Sequence, residues 1–122
     1  MTVLLLALAG GLGAGLRFMI DGLVRARFRT ALPVGTILIN VSGSVLLGFV
    51  TGLGALHCLT PTVALILGTG LLGGYTTFST ASVETVRLIQ SRRTTLALIN
   101  ALGTMAAGVL AAFAGAGLAL LL

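Results

Sequence analysis

Four long apolar stretches occupy almost the whole chain, and each is long enough to cross a bilayer as a helix. They cover about residues 3–20, 31–56, 61–83 and 94–122, and short polar segments separate them. A helical span needs about 20 apolar residues, so four spans use nearly all of the 122 residues. The pattern therefore predicts an all-α membrane protein in which residues 1–122 form a single four-span domain.

The third stretch differs from the others because it contains the uncharged polar sequence GGYTTFSTAS, residues 73–82. Gly73 and Gly74 weaken a helix, and five hydroxyl side chains of threonine and serine follow them. A broken helix exposes backbone N–H and C=O groups that lipid cannot satisfy, so it persists only against protein or a polar cavity. We therefore expect the third span to be broken near mid-membrane, as in helices that line ion sites.

Two other spans carry small polar residues at every fourth position. The rows are Thr36, Asn40, Ser44 and Gly48 in the second span, and Asn100, Thr104 and Gly108 in the fourth. Residues four apart lie on one helix face, so each row predicts a narrow polar stripe. Its amides and hydroxyls could donate hydrogen bonds to an anion. Interhelical hydrogen bonding alone, at about 0.6 kcal/mol per bond, is the alternative interpretation.

The composition supports the membrane assignment and narrows the chemistry. The chain is 57% hydrophobic and 7% charged, whereas soluble domains contain about 25% charged residues. The single cysteine, Cys58, excludes an internal disulfide and a cysteine metal cluster. The sequence GTGLLG, residues 68–73, matches a dinucleotide-binding pattern, but it lies inside a span rather than after a strand. We expect no catalysis.

The spacing of the glycines predicts close packing between helices. Several glycines are spaced by four, at Gly11/Gly15, Gly48/Gly52 and Gly70/Gly74, and such spacing lets helix backbones approach closely in lipid.

The sequence MTVLLLALAG at the start lacks a basic leader, so we expect a retained first span rather than a secretory signal.

All basic side chains except one histidine are arginines, and their placement predicts the topology. The loops on one face hold six of them, Arg25, Arg27, Arg29, Arg87, Arg92 and Arg93, and the opposite face holds only His57. Short loops rich in arginine stay in the cytoplasm. We therefore expect a cell-membrane protein with both termini outside the cytoplasm. The net charge of +5 indicates an interaction with lipid headgroups rather than with nucleic acid.

The two carboxylates, Asp21 and Glu84, fall near predicted span ends on the arginine-rich face. A proton-coupled cation exporter of the small multidrug class needs a buried carboxylate as its shared binding group. The polar stripes contain none, which counts against that class, although its size and span number are similar.

Three motifs together resemble the CrcB/Fluc family of fluoride channels. GGYTTFST (73–80) resembles the third-span signature of that family, and GGLGAGLRF (10–18) resembles its first-span motif. GTILINVSGSVLLG (35–48) resembles its second-span motif. The likeness extends over all four spans in order and in length.

The resemblance implies a passive fluoride channel that lowers cytoplasmic fluoride and so confers fluoride resistance. It implies an antiparallel dimer with two narrow pores and a structural sodium ion at the dimer interface, held by backbone carbonyl groups of Gly73 and Thr76. Arg17 would lie in a vestibule. The anion pore would be lined by Asn40, Phe78, Ser79, Thr80, Ser44 and Thr104.

Two positions depart from the family pattern. The family's second pore phenylalanine is replaced by Ala81, and the tyrosine of its fourth span corresponds to Asn100. A chain that inserts both ways should also show little arginine bias. We therefore expect a subunit of fixed orientation that pairs with a homologous partner of opposite orientation. A scaffold subunit that only completes its partner's pore is the remaining alternative.

Overall fold

The computed structural model describes all 122 residues, and its regular elements are all helices. Helix α1 is Thr2–Arg27 and α2 is Val34–Ala55. Helix α3 covers residues 61–75, α4 is Phe78–Gln90, and α5 is Thr94–Ala119. With α3 and α4 taken together as Pro61–Gln90, four segments are long and apolar enough to cross a membrane. The predicted all-α, four-span fold is thus confirmed.

The first and third spans are longer than the sequence predicted. Helix α1 continues past residue 20 to Arg27, and the third span continues past residue 83 to Gln90. Arginine is a good helix former, and a cation is stabilised at a helix C-terminus, so these basic ends extend the helices rather than stop them. As a result Asp21 and Glu84 lie within helices and not at their ends.

Close backbone contacts at glycines pair the helices. Helix α2 packs along α5, where a Cβ atom on Gly48 would overlap the backbone of Ala112 and one on Gly115 would overlap that of Val45. Helix α1 packs on α3 in the same way through other glycines. At that interface the contacts are Gly13 with Leu71, Gly74 with Gly10, and Gly70 with Leu6 and Ala9.

The predicted glycine pairs therefore differ in what they contact. Gly48/Gly52 and Gly70/Gly74 each pack against a neighbouring helix, as their spacing predicted. The sites of Gly11 and Gly15 instead face open space within this chain.

The third span is interrupted at Thr76 and Thr77, close to its middle. Both have extended backbones, with φ/ψ of −77°/160° at Thr76 and −150°/121° at Thr77. Helix α4 then begins at Phe78, and the Thr77 side chain caps it by accepting a hydrogen bond from the N–H of Thr80 at 3.2 Å. The predicted break exists, but Gly73 and Gly74 remain helical. Gly74 serves close packing against α1.

Two stretches of π-helix were not predicted. Ile66–Leu72 lies within α3, and Ile99–Gly103 lies within α5. π-Helical turns are rare and often mark functional sites. The first ends one helical turn before the break, since Gly73–Tyr75 lies between them, and the second contains Asn100. Nothing in the residue pattern of either stretch distinguishes it from an ordinary α-helical turn.

Candidate functional site

The side chain of Asn40 bridges the break in the third span. Its Nδ2 donates to the carbonyl oxygen of Thr77 at 2.8 Å, and its Oδ1 accepts the N–H of Thr77 at 2.8 Å. The side-chain amide of Asn40 thus supplies the donor and the acceptor that helical neighbours would otherwise provide to the backbone of Thr77. The polar stripe of α2 therefore faces the interruption, and an uncharged side chain holds the extended backbone in place.

The same arrangement releases two backbone carbonyl groups. In a continuous helix the N–H of Thr77 would bond to Gly73, but here it bonds to Asn40. The N–H of Thr80 would likewise bond to Thr76, but it bonds to the Thr77 hydroxyl. Gly73 and Thr76 therefore keep acceptor oxygens without their helical donors, and Gly73 is exposed on the surface of the chain.

A run of hydroxyl groups follows the break at the start of α4. The Thr77 hydroxyl lies 3.1 Å from that of Thr80 and 3.4 Å from that of Ser79. Phe78 points away from the chain with 88% of its surface exposed. The structure thus groups Asn40, Ser79 and Thr80 around one turn of backbone, with an aromatic ring projecting beside them.

The other pore candidates on α2 and α5 lie in the packed part of the bundle. The Ser44 hydroxyl donates to the carbonyl of Asn40 at 2.7 Å, and it faces Gly108 across the α2–α5 contact. The hydroxyl oxygen of Thr104 is buried without a hydrogen-bond partner. Polar groups therefore continue from Asn40 towards α5 without any charge among them.

Asn100 occupies the space beside Ala81. Its Nδ2 donates to the Ala81 carbonyl at 3.3 Å and to the Thr85 hydroxyl at 2.9 Å, and only 1% of Asn100 is exposed. Its Oδ1 is buried without a partner. The two residues that depart from the family pattern are therefore in contact, because the side-chain amide of Asn100 donates to the backbone carbonyl of Ala81.

Arg17 is not in direct contact with this group. It lies on α1 one helical turn beyond Gly13, which packs against Leu71. Arg17 as a whole is half-buried, and its guanidinium makes no hydrogen bond or ion pair. The structure therefore leaves its charge free, without joining it to the polar residues around Asn40.

The polar stripes themselves contain no carboxylate, but the expectation that Glu84 lies near a span end was wrong, because Glu84 is buried beside the stripe of α2. Glu84 is buried, and its Oε1 accepts from the Thr36 hydroxyl at 3.1 Å and from Nη2 of Arg25 at 2.7 Å. Arg25 also donates to Asp21 at 2.8 Å. The error arose because α4 extends beyond Glu84 by nearly two turns, which moves this residue from the span end into the packed helix. The ion pair between Arg25 and Glu84 also brings the arginine-rich loop after α1 and the arginine-rich loop after α4 to the same end of the bundle.

Comparison with known proteins identifies one family. The family model described as "CrcB-like protein, Camphor Resistance (CrcB)" matches residues 4–116. The chain is 52% identical over 105 residues to "Fluoride-specific ion channel FluC 1" of Leifsonia xyli, an alignment that covers 86% of this chain and 77% of that protein. It is 46% identical over 116 residues to "Fluoride-specific ion channel FluC 2" of Cutibacterium acnes, covering 94% of each. A third relative, "Fluoride-specific ion channel FluC 2" of Mycolicibacterium paratuberculosis, is 45% identical over 113 residues.

Proposed function

This chain belongs to the CrcB family, and on that basis we propose that it is a multi-pass membrane channel that conducts fluoride passively out of the cytoplasm. No chemical reaction is involved, because the relatives are named ion channels rather than enzymes. The same names do not support a proton-coupled multidrug exporter. The carboxylate that such an exporter would use, Glu84, is already paired with Arg25 and Thr36.

The observation that carries this proposal is the hydrogen-bonded pair of Asn40 and Thr77. It holds an extended backbone open inside an apolar bundle and leaves the second N–H of the Asn40 amide free. A small anion that loses its hydration shell needs such donors in place of water. Uncharged donors bind it weakly enough to let it leave, whereas a buried cation would trap it.

In the proposed pathway, donors replace the water around fluoride one after another. Asn40, Ser79 and Thr80 would offer N–H and O–H groups, and the edge of the Phe78 ring would offer partial positive charge. Ser44 and Thr104 would extend the same polar route between α2 and α5. Arg17 would raise the local anion concentration in a vestibule.

Ion efflux from liposomes tests this function directly. We expect vesicles loaded with fluoride to release it when they contain this chain, alone or with a co-reconstituted homologous subunit, and to retain chloride. Phe78→Leu should slow fluoride release about tenfold, which corresponds to the loss of about 1.4 kcal/mol of stabilisation. The matched control is Phe113→Leu, which alters another exposed phenylalanine, on α5, and should leave the rate unchanged.

The outcomes separate the competing proposals. Absence of fluoride release from both preparations would refute the channel. Fluoride release that survives substitution of both Phe78 and Asn40 would instead leave the chain as a scaffold for its partner's pore.

We also propose that a structural sodium ion lies at the interface between two subunits. The carbonyl groups of Gly73 and Thr76 fit a cation because the break removes their helical donors. Hard cations prefer oxygen ligands, and a buried ion neutralises dipoles that point inwards. Gly73 is exposed on a single chain, so a second subunit could contribute an equivalent pair of oxygens.

Exposed polar groups beside Phe78 support the antiparallel dimer that the family resemblance implies. Ser79 and Gly73 are both exposed near the middle of a membrane span, and lipid cannot satisfy polar atoms there. A partner subunit packed over the break would cover them. Gly11 and Gly15, which have open space beside them, would permit a close approach on α1.

We propose further that the partner is a homologous subunit of opposite orientation, because six of the seven arginines lie at one end of the bundle. Cys58, the only cysteine, is exposed in the loop at the other end. It therefore reports the orientation without any engineering. In intact cells, a membrane-impermeant maleimide should label all of the Cys58 thiols, and no further thiol should react after lysis. Labelling of only half would show insertion in both orientations and contradict the heteromer.

A further inference from the structure

A cavity of about 470 Å³ opens at the arginine-rich end of the bundle, away from the break. It lies between the end of α1, the loop of residues 28–33, the end of α4 and Arg93 of the next loop. Its polar side chains are Arg25, Arg87, Arg93, Glu84, Thr30 and Ser91. Neither the fluoride route nor the sodium site proposed above uses this cavity.

The cavity carries a net positive charge, because two of its arginines have no counterion. Arg25 is satisfied by Asp21 and Glu84. Arg87 and Arg93 make no ion pair and no side-chain hydrogen bond in the chain. Both guanidinium groups are therefore free to bind an external anion. Arg87 lies on α4 and Arg93 lies in the loop that follows it, and both residues line the cavity.

The remaining wall of the cavity is apolar. Phe28, Leu32 and Leu88 line it together with Val24, Pro33 and Val34. The cavity thus lies where membrane helices end and combines free cationic groups with hydrophobic surface. A free inorganic anion would use only the cationic part. A ligand with an anionic headgroup and a hydrocarbon chain would use both.

We propose that this cavity binds the phosphate group of an anionic lipid, with Arg87 and Arg93 as its ligands. A guanidinium can donate two parallel hydrogen bonds to phosphate. Basic pockets between helices at the cytoplasmic side of membrane proteins bind anionic headgroups on the same principle. A zwitterionic headgroup carries its own ammonium, which offsets the attraction. Arg25 would hold the wall through its ion pair with Glu84 and would not bind the lipid itself.

Native mass spectrometry of the purified protein tests the proposal with defined probes. We expect phosphatidylglycerol to remain bound in preference to phosphatidylcholine. The double variant Arg87→Gln/Arg93→Gln should bind phosphatidylglycerol at least about tenfold more weakly, because it removes both cationic ligands of the phosphate. The variant Arg87→Lys/Arg93→Lys keeps the charge and should retain part of the binding.

The control variant is Arg29→Gln/Arg92→Gln, which removes two charges from the same end without touching the cavity. It should bind phosphatidylglycerol like the unmodified protein. Equal weakening in both glutamine variants would show a general charge effect and overturn the assignment. Retention of inorganic phosphate without lipid preference would also overturn it, because the hydrophobic wall would then have no part. Gel filtration establishes that each variant is folded, and the assay does not depend on fluoride conduction.

Discussion

Replacing Asn40 with alanine should reduce fluoride efflux about a hundredfold, equivalent to about 2.7 kcal/mol in the rate-limiting barrier, and should destabilise the fold as well. The substitution removes both hydrogen bonds to Thr77 and leaves its N–H and C=O without partners. Each unsatisfied buried group costs about 1–3 kcal/mol, so the free energy of unfolding should fall by about 2–6 kcal/mol. Liposome efflux and SDS titration in mixed micelles measure the two effects separately.

The isosteric variant Asn40→Asp separates shape from hydrogen bonding. An aspartate still accepts from the N–H of Thr77, but it has no donor for the carbonyl and adds a negative charge beside the anion route. Flux should therefore fall at least as far as in the alanine variant, and stability should fall as well, because a carboxylate oxygen would then face the Thr77 carbonyl oxygen inside a membrane span. Thr51→Ala is the control on the same helix, because Thr51 donates only to Leu47 one turn away. Normal flux in Asn40→Ala would show that the amide has no part in conduction.

The sequence was sufficient to predict the four spans and the interruption of the third. Hydrophobic length determines a span regardless of its packing. The hydroxyl-rich stretch indicated a break because lipid provides no partner for its backbone. The spacing of Thr36, Asn40 and Ser44 also gave the correct helix face. Contacts with another helix then selected Thr76–Thr77, rather than the glycines, as the interrupted residues.

The features that were not predicted depend on contacts between residues distant in sequence. Glu84 was expected near a span end, but its ion pair with Arg25, 59 positions away, holds it within the bundle. The contact of Asn100 with Ala81 likewise depends on how α4 lies beside the π-helical turn in α5. Neither residue has a local pattern that reveals its partner.

Adding a single methyl group at Gly115 should destabilise the bundle severely, whereas the same change two residues away should not. In Gly115→Ala the new Cβ would overlap the backbone carbonyl of Val45, which a side-chain rotation cannot relieve. Helices α2 and α5 would have to separate, at a cost of about 1–3 kcal/mol or more. Gly13→Ala should act in the same way between α1 and α3, where the overlap is with Leu71.

Two neighbouring glycines provide matched controls on the same helices. A methyl group added at Gly117 or Gly15 would have no atom of another helix within 4 Å, so alanine there should stabilise the helix by up to about 1 kcal/mol through its higher helix propensity. SDS titration of the four alanine variants should therefore show opposite signs within each pair. Gly15 is also proposed to permit the approach of a partner subunit. The stability of Gly15→Ala should therefore be measured on the monomer in detergent micelles as well as on the assembled dimer. Equal losses at Gly115 and Gly117 would mean that helix spacing is not set by these backbone contacts.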